Sequence, residues 1–151
     1  MEDDTIMYAR DWSRDGKIIV FEKFKSSKAR QRDIWVLPVE DGGKAFPYLT
    51  GTFDECQPVL SPNGRWMAYV SNESGGYEVV VQAFPNPALG KFIISTRGGM
   101  FPRWRSDGRE LYYMDPSQQM VAVSVTTDGS FSAPKSTPLF KTGLSYPEGA
   151  S

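Results

Sequence analysis

Histidine is absent from the 151 residues of this chain, and with it goes the imidazole that Ser-His-Asp and Cys-His nucleophile activation and many metal sites require. Any acid–base chemistry would fall to carboxylates, lysine or tyrosine. A single cysteine, Cys56, excludes an intrachain disulfide and says nothing of the redox compartment. Set in an apolar strand pattern, it reads as a small filler side chain rather than a nucleophile. An excess of one charge is also missing, since 17 basic residues face 18 acidic ones for a net charge of −1. No overall field gathers nucleic acid or an anionic membrane, and neither is expected as a partner.

Long hydrophobic runs are lacking too, and nothing approaches the roughly 20 apolar residues of a membrane span. The acidic start, Met1-Glu2-Asp3-Asp4, is the reverse of the basic start of a secretory leader. A cytoplasmic location is expected if the sequence is complete, whereas a piece cut from a longer protein leaves the periplasm open. No ten-residue stretch carries the 3.6-residue apolar period of an amphipathic helix, and the 11 prolines would interrupt most candidates.

What is present is a phrase that recurs three times: Trp12-Ser13-Arg14-Asp15-Gly16-Lys17, Leu60-Ser61-Pro62-Asn63-Gly64-Arg65 and Trp104-Arg105-Ser106-Asp107-Gly108-Arg109. The copies lie roughly 45 residues apart, a period that marks propeller blades. Each Asp-Gly or Asn-Gly pair sits between apolar runs, the strongest short hairpin signal. After it come Lys17 to Phe21, Trp66 to Val70 and Glu110 to Met114, then a third run at Asp33 to Val39, Tyr77 to Phe84 and Met120 to Val125. These are dense in β-branched and aromatic residues. Turns at Asp41-Gly42-Gly43, Pro85-Asn86-Pro87 and Asp128-Gly129 lead to fourth strands near Ala45 to Thr50, Lys91 to Thr96 and Ser136 to Lys141. The expectation is an all-β chain of three four-stranded antiparallel blades, at about residues 7–51, 52–97 and 98–144, with 145–151 as a tail.

A blade buries both faces against its neighbours, so Trp12, Leu60 and Trp104 are expected to fill the wedge between blades, and Trp35 and Trp66 to serve as core. The Ser and Asp side chains of the turns are read as structural, bonding to nearby amides. No loop shows the spaced acids of a dedicated calcium site, and neither a metal nor a cofactor is expected.

The phrases Gln57 to Tyr69 and Phe101 to Tyr113 resemble the WD40-like repeats of TolB-type six-bladed β-propellers, a resemblance that covers about residues 7–144. The runs Tyr69 to Gly75 and Val81 to Pro85 are similar to TolB-like propellers that follow bacterial serine/threonine kinase domains. The first unit departs by carrying Arg10 where the others have Pro58 and Pro102, and no kinase glycine loop or catalytic-loop motif is present. The resemblance implies six blades, and this chain supplies three. An array that does not close leaves apolar blade faces bare, so a homodimer joined head to tail into a six-bladed ring is expected; the competing account is a fragment whose other blades lie elsewhere. Tyr146-Pro147-Glu148-Gly149 reads as the lead-in to such a blade.

Propeller ligands sit at the mouth of the central channel, lined by the innermost strands. The candidate ligand-binding residues are Tyr8, Arg10, Asp54, Glu55, Gln57, Phe101 and Arg103, with Asp54, Glu55 and Arg103 as the charged groups that would face a protein, peptide or small ligand. Solvated turn residues would look the same. Lys23, Lys25, Lys28, Arg30 and Arg32 form a basic run around Phe24 that reads as a phosphate patch or as a solvated hairpin loop. A glycosidase-type carboxylate pair needs about 5–10 Å of separation across a sugar; adjacent Asp54 and Glu55, pointing to opposite faces of a strand, are poorly placed for it, and no catalytic residue is assigned. The leading reading is a non-enzymatic interaction module. The alternative is the sensory or gating propeller of a larger enzyme, a kinase or a prolyl-oligopeptidase-like peptidase, with catalysis elsewhere.

Overall fold

Each repeated turn closes on its own side chains. In the first, Asp15 Oδ1 accepts from Ser13 Oγ at 2.6 Å and from the Lys17 amide at 3.0 Å, while Ser13 Oγ accepts from the Ile18 amide at 3.0 Å. Ser61 and Asn63 repeat the arrangement in the second. Gly16, Gly64 and Gly108 take φ of 74°, 68° and 73°, a left-handed conformation open to glycine without steric cost. The third turn differs, because Arg105 stands where the others have serine. Asp107 still accepts from the Arg109 amide, and Arg105 instead pairs with Asp107 at 3.3 Å and Glu110 at 3.1 Å.

The computed structural model describes residues 4–28, 30–40 and 42–148. The readings made above on Met1 to Asp3, Asp41 and Gly149 fall outside them. Among the described residues, twelve strands form three antiparallel sheets. The first sheet is β1 (Thr5–Trp12), β2 (Ile18–Lys25), β3 (Asp33–Pro38) and β4 (Phe46–Leu49). The second is β5 (Glu55–Leu60), β6 (Trp66–Ser71), β7 (Glu78–Ala83) and β8 (Lys91–Ile93). The third is β9 (Met100–Trp104), β10 (Glu110–Met114), β11 (Gln119–Thr126) and β12 (Ser132–Lys141). In each, strand order follows chain order, as a meander requires.

Two details depart from the sequence reading. Strand β2 runs on to Lys25 because Glu22 and Lys23 pair with Ile34 and Asp33, so much of the expected long polar loop is ladder. Strand β12 begins at Ser132, with Ser132 opposite Thr126, whereas β8 stops at Ile93. Tyr146, read as a lead-in, packs half-buried against the core shared by the second and third sheets.

Every residue of β6 is buried, and its side chains alternate between two cores. Met67 and Tyr69 join Val20, Ile34, Val36, Leu60 and Val80 of the first interface. Trp66, Ala68 and Val70 join Leu111, Tyr113, Val121 and Val123 of the second. Leu60 and Trp104 fill the wedge against the preceding sheet, and the Trp104 indole donates to the Val59 carbonyl of that sheet at 3.1 Å. Trp12 occupies the same position in the first sheet with no preceding sheet beside it; it is 57% exposed, and its indole donates instead to the Gly16 carbonyl of its own turn.

Leu111 is fully buried in the second interface, so Leu111→Ala is expected to lower the unfolding free energy by about 2–5 kcal/mol in chemical denaturation. Lys44→Ala on the exposed surface is expected to stay within about 0.5 kcal/mol of the parent.

Candidate functional site: the mouth of the channel

The innermost strands β1, β5 and β9 lie side by side, and each is bulged at the same place. Pairing slips between Ala9 and Asp11 in β1, between Cys56 and Val59 in β5, and where β9 meets Tyr112 and Met114. Gln57 and Phe101 sit on the later two bulges with φ of 55° and 60°. For a residue with a Cβ that conformation costs about 1–3 kcal/mol and persists only when its surroundings fix it.

The surroundings do so with hydrogen bonds passed from sheet to sheet. A bulge strands a backbone N–H that must find another acceptor. The Gln57 amide donates to Glu22 Oε1 at 2.6 Å, and the Phe101 amide donates to Gln57 Oε1 at 2.7 Å. Arg10 holds the other oxygen of Glu22 at 2.7 Å, and this carboxylate is completely buried. One residue further on, Asp11 Oδ2 accepts from the Leu60 amide at 2.7 Å.

Along the inner strands run two neighbouring hollows. One of about 170 Å³ is lined by Ala9, Arg10, Gln57, Pro58, Phe101 and Arg103. The other, of about 460 Å³, lies at the turn end, and Arg10 and Arg103 border both. Four of the seven candidate residues, Arg10, Gln57, Phe101 and Arg103, therefore meet at one groove. Tyr8 is half-exposed beside it, with the Arg10 guanidinium 5.5 Å from its ring. The larger hollow adds Trp12, Arg14, Trp104 and Arg105, which belong to the turn phrase read as purely structural. Arginines within two residues of the recurrent tryptophans, Arg14 after Trp12 and Arg105 after Trp104, were the available signal.

No protein-family model matches the chain, and comparison with curated proteins finds no match. Solved structures do match. A protein designated TolB from Agrobacterium tumefaciens superposes with a TM-score of 0.66 at 19% identity, over 89% of this chain and 49% of that one. TolB from Acinetobacter baumannii gives 0.59 at 18% identity, over 85% and 32%. The β-propeller domain of the Trilobed protease from Pyrococcus furiosus, described as having an open velcro topology, gives 0.63 at 12% identity, over 91% and 43%. The chain has the fold of TolB-like propeller blades. It spans about half or less of the length of these structures.

In these TolB-like blades Asp54 and Glu55 are withdrawn from the mouth, contrary to the expectation that they face a ligand or solvent. Asp54 is 1% exposed and fully engaged. Its carboxylate accepts from Arg32 Nε at 2.8 Å, Arg32 Nη2 at 2.6 Å and the Tyr77 hydroxyl at 2.6 Å, stitching the first sheet to the second. Burial alone would push this carboxyl up, but the hydrogen bonds from Arg32 and Tyr77 outweigh it and hold it below the usual carboxylate range. Glu55 is 8% exposed and lacks such partners; burial, reinforced by Asp33, Glu73 and Asp54 against Lys91, pushes it up to about 7. Adjacent acids thus differ because one is paired and the other is merely desolvated. The basic run is divided as well, with Arg32 spent on Asp54 and Lys23 lying 4.3 Å over the Trp35 ring. Cys56 is fully buried and its thiol is pushed up by desolvation, as expected of a filler. Among the described residues no cluster could hold a metal ion.

Removing one partner of a buried ion pair strands the other, so Asp54→Ala is expected to cost about 3 kcal/mol in urea denaturation at neutral pH. Glu55 makes a contrasting contribution. Its folded value near 7 exceeds the ordinary 4.5, so the folded state binds the proton more tightly, and stability is lost as pH rises from the lower value through the upper one. Glu55→Gln is expected to flatten that decline, as read from denaturation midpoints across the interval.

Proposed function

We propose that the chain is a non-enzymatic propeller module that binds a protein, peptide or small ligand at the channel mouth, through the groove of Arg10, Gln57, Phe101 and Arg103. The observation that carries this reading is the convergence there of three bulged inner strands whose strained residues are held by neighbouring sheets. Such a surface is preorganised, which lowers the ordering cost of binding. A peptide selected on the folded protein is expected to protect the amides of Gln57 and Phe101 in hydrogen exchange; protection confined to β12 or to the outer loops argues against the groove.

The module completes a six-bladed ring with a second copy in this proposal. Trp12 lies bare at the position where Leu60 and Trp104 are covered by a preceding sheet, and beside it in register Ile19 and Leu37 continue the same face. The trailing face of the third sheet, through Tyr112 and Ala122, is the counterpart that a second chain would bring. The fraction of its structural neighbours that the chain spans favours a second reading, in which the remaining blades belong to the same longer protein, a kinase with a propeller or a propeller-gated peptidase. Sedimentation is expected to show a compact two-chain particle, and Trp12→Glu to shift it to monomer with its near-ultraviolet dichroism otherwise retained. A parent chain that stays monomeric and free of aggregation at high concentration rules the dimer out.

A further inference from the structure

The larger hollow at the turn end is lined by four arginines, Arg10, Arg14, Arg103 and Arg105, against one acidic residue, Asp11. Asp11 is already held by the Leu60 amide. Two of the arginines are also committed, Arg10 to buried Glu22 and Arg105 to Asp107 and Glu110. Arg14 and Arg103 differ from them. Their hydrogen bonds go to backbone carbonyls, Arg14 Nη2 to Ser106 at 2.8 Å and Arg103 Nη1 to Pro102 at 3.0 Å. Arg14 thereby reaches from the first repeated turn to the third, across the mouth.

A guanidinium has five N–H donors in a fixed fork, so a single carbonyl leaves most of each fork unspent. Two such forks bordering one hollow match a ligand with at least two negative charges, because the fork fits carboxylate and phosphate oxygens in pairs. The exposed Trp12 indole lies in the same wall.

We infer that this hollow is an oxyanion site, in which Arg14 and Arg103 bind a polycarboxylate or phosphoryl group carried by the ligand of the channel mouth. The inference rests on the proposal that the mouth binds a ligand, and it adds the chemistry that the ligand must bring. Neither arginine is buried and neither pairs with an acid, so replacing both leaves the fold intact.

Citrate and inorganic phosphate serve as probes, titrated into the whole chain at constant ionic strength and followed by calorimetry and indole fluorescence. Saturable binding is expected, weakened tenfold or more in the Arg14→Gln, Arg103→Gln double variant and unchanged in Arg97→Ala, an exposed arginine outside the hollow. Tighter citrate binding assigns a carboxylate ligand, and tighter phosphate binding a phosphoryl one. Failure of both probes to saturate overturns the site, as does equal weakening by Arg97→Ala, which would mark diffuse attraction. A panel of acidic, neutral and basic peptides separates this failure from that of the underlying reading. Neutral or basic peptides that protect the Gln57 and Phe101 amides while citrate and phosphate fail leave a mouth that binds something other than an oxyanion. Protection elsewhere by every peptide overturns both.

Discussion

A sheet with no solvent-facing side cannot stand alone, and the middle strands of the second blade have almost none. All of β6 is buried, which requires a neighbour on each side, and the alternation of its side chains assigns one set to each neighbour. The other features follow from this demand. Apolar runs replace the in-and-out alternation of an exposed sheet, and large side chains recur at the inner strand ends to fill the taper. The first sheet, clamped on one side, shows by contrast what the clamp conceals.

Apolar contact supplies the adhesion between blades, and polar groups supply the registration. Glu22 and Asp54 are carboxylates with essentially no exposure, a costly arrangement unless every oxygen is engaged. Each is engaged across an interface, Glu22 by the Gln57 amide and Asp54 by Arg32. A slip of one blade against the next would abandon these bonds inside a low-dielectric interior. The Glu22 bond also fixes the backbone at the mouth, so the groove inherits its shape from the seams between blades rather than from any single one.

The blade architecture was legible because hairpin turns are local: an Asp-Gly or Asn-Gly pair between apolar runs needs no tertiary partner to be recognised. The inner strands could likewise be placed, which is why Arg10, Gln57, Phe101 and Arg103 fall along one groove. Asp54 and Glu55 were misplaced because their burial depends on residues distant in sequence, Arg32 and Tyr77 for the former and the enclosing sheets for the latter. The basic run misled for the same reason, since nothing near Arg32 in the sequence announces its partner. Arg14 and Arg105 belong to a recurrent motif whose turn-forming role already accounts for its recurrence. Their convergence appears only once three turns separated along the chain are brought to one end.

The bonds along the inner rim also have a direction. Glu22 and Asp11 of the first sheet accept from amides of the second, and Gln57 Oε1 and the Val59 carbonyl of the second accept from the third. Between adjacent inner strands the earlier blade supplies oxygen and the later one supplies hydrogen. The array is therefore a vector, with unlike ends, and two like ends brought together would set donor against donor or acceptor against acceptor. Whatever continues it must approach with the same sense of rotation, which leaves a closed circle or an open spiral and excludes a mirror-like pairing of two leading faces.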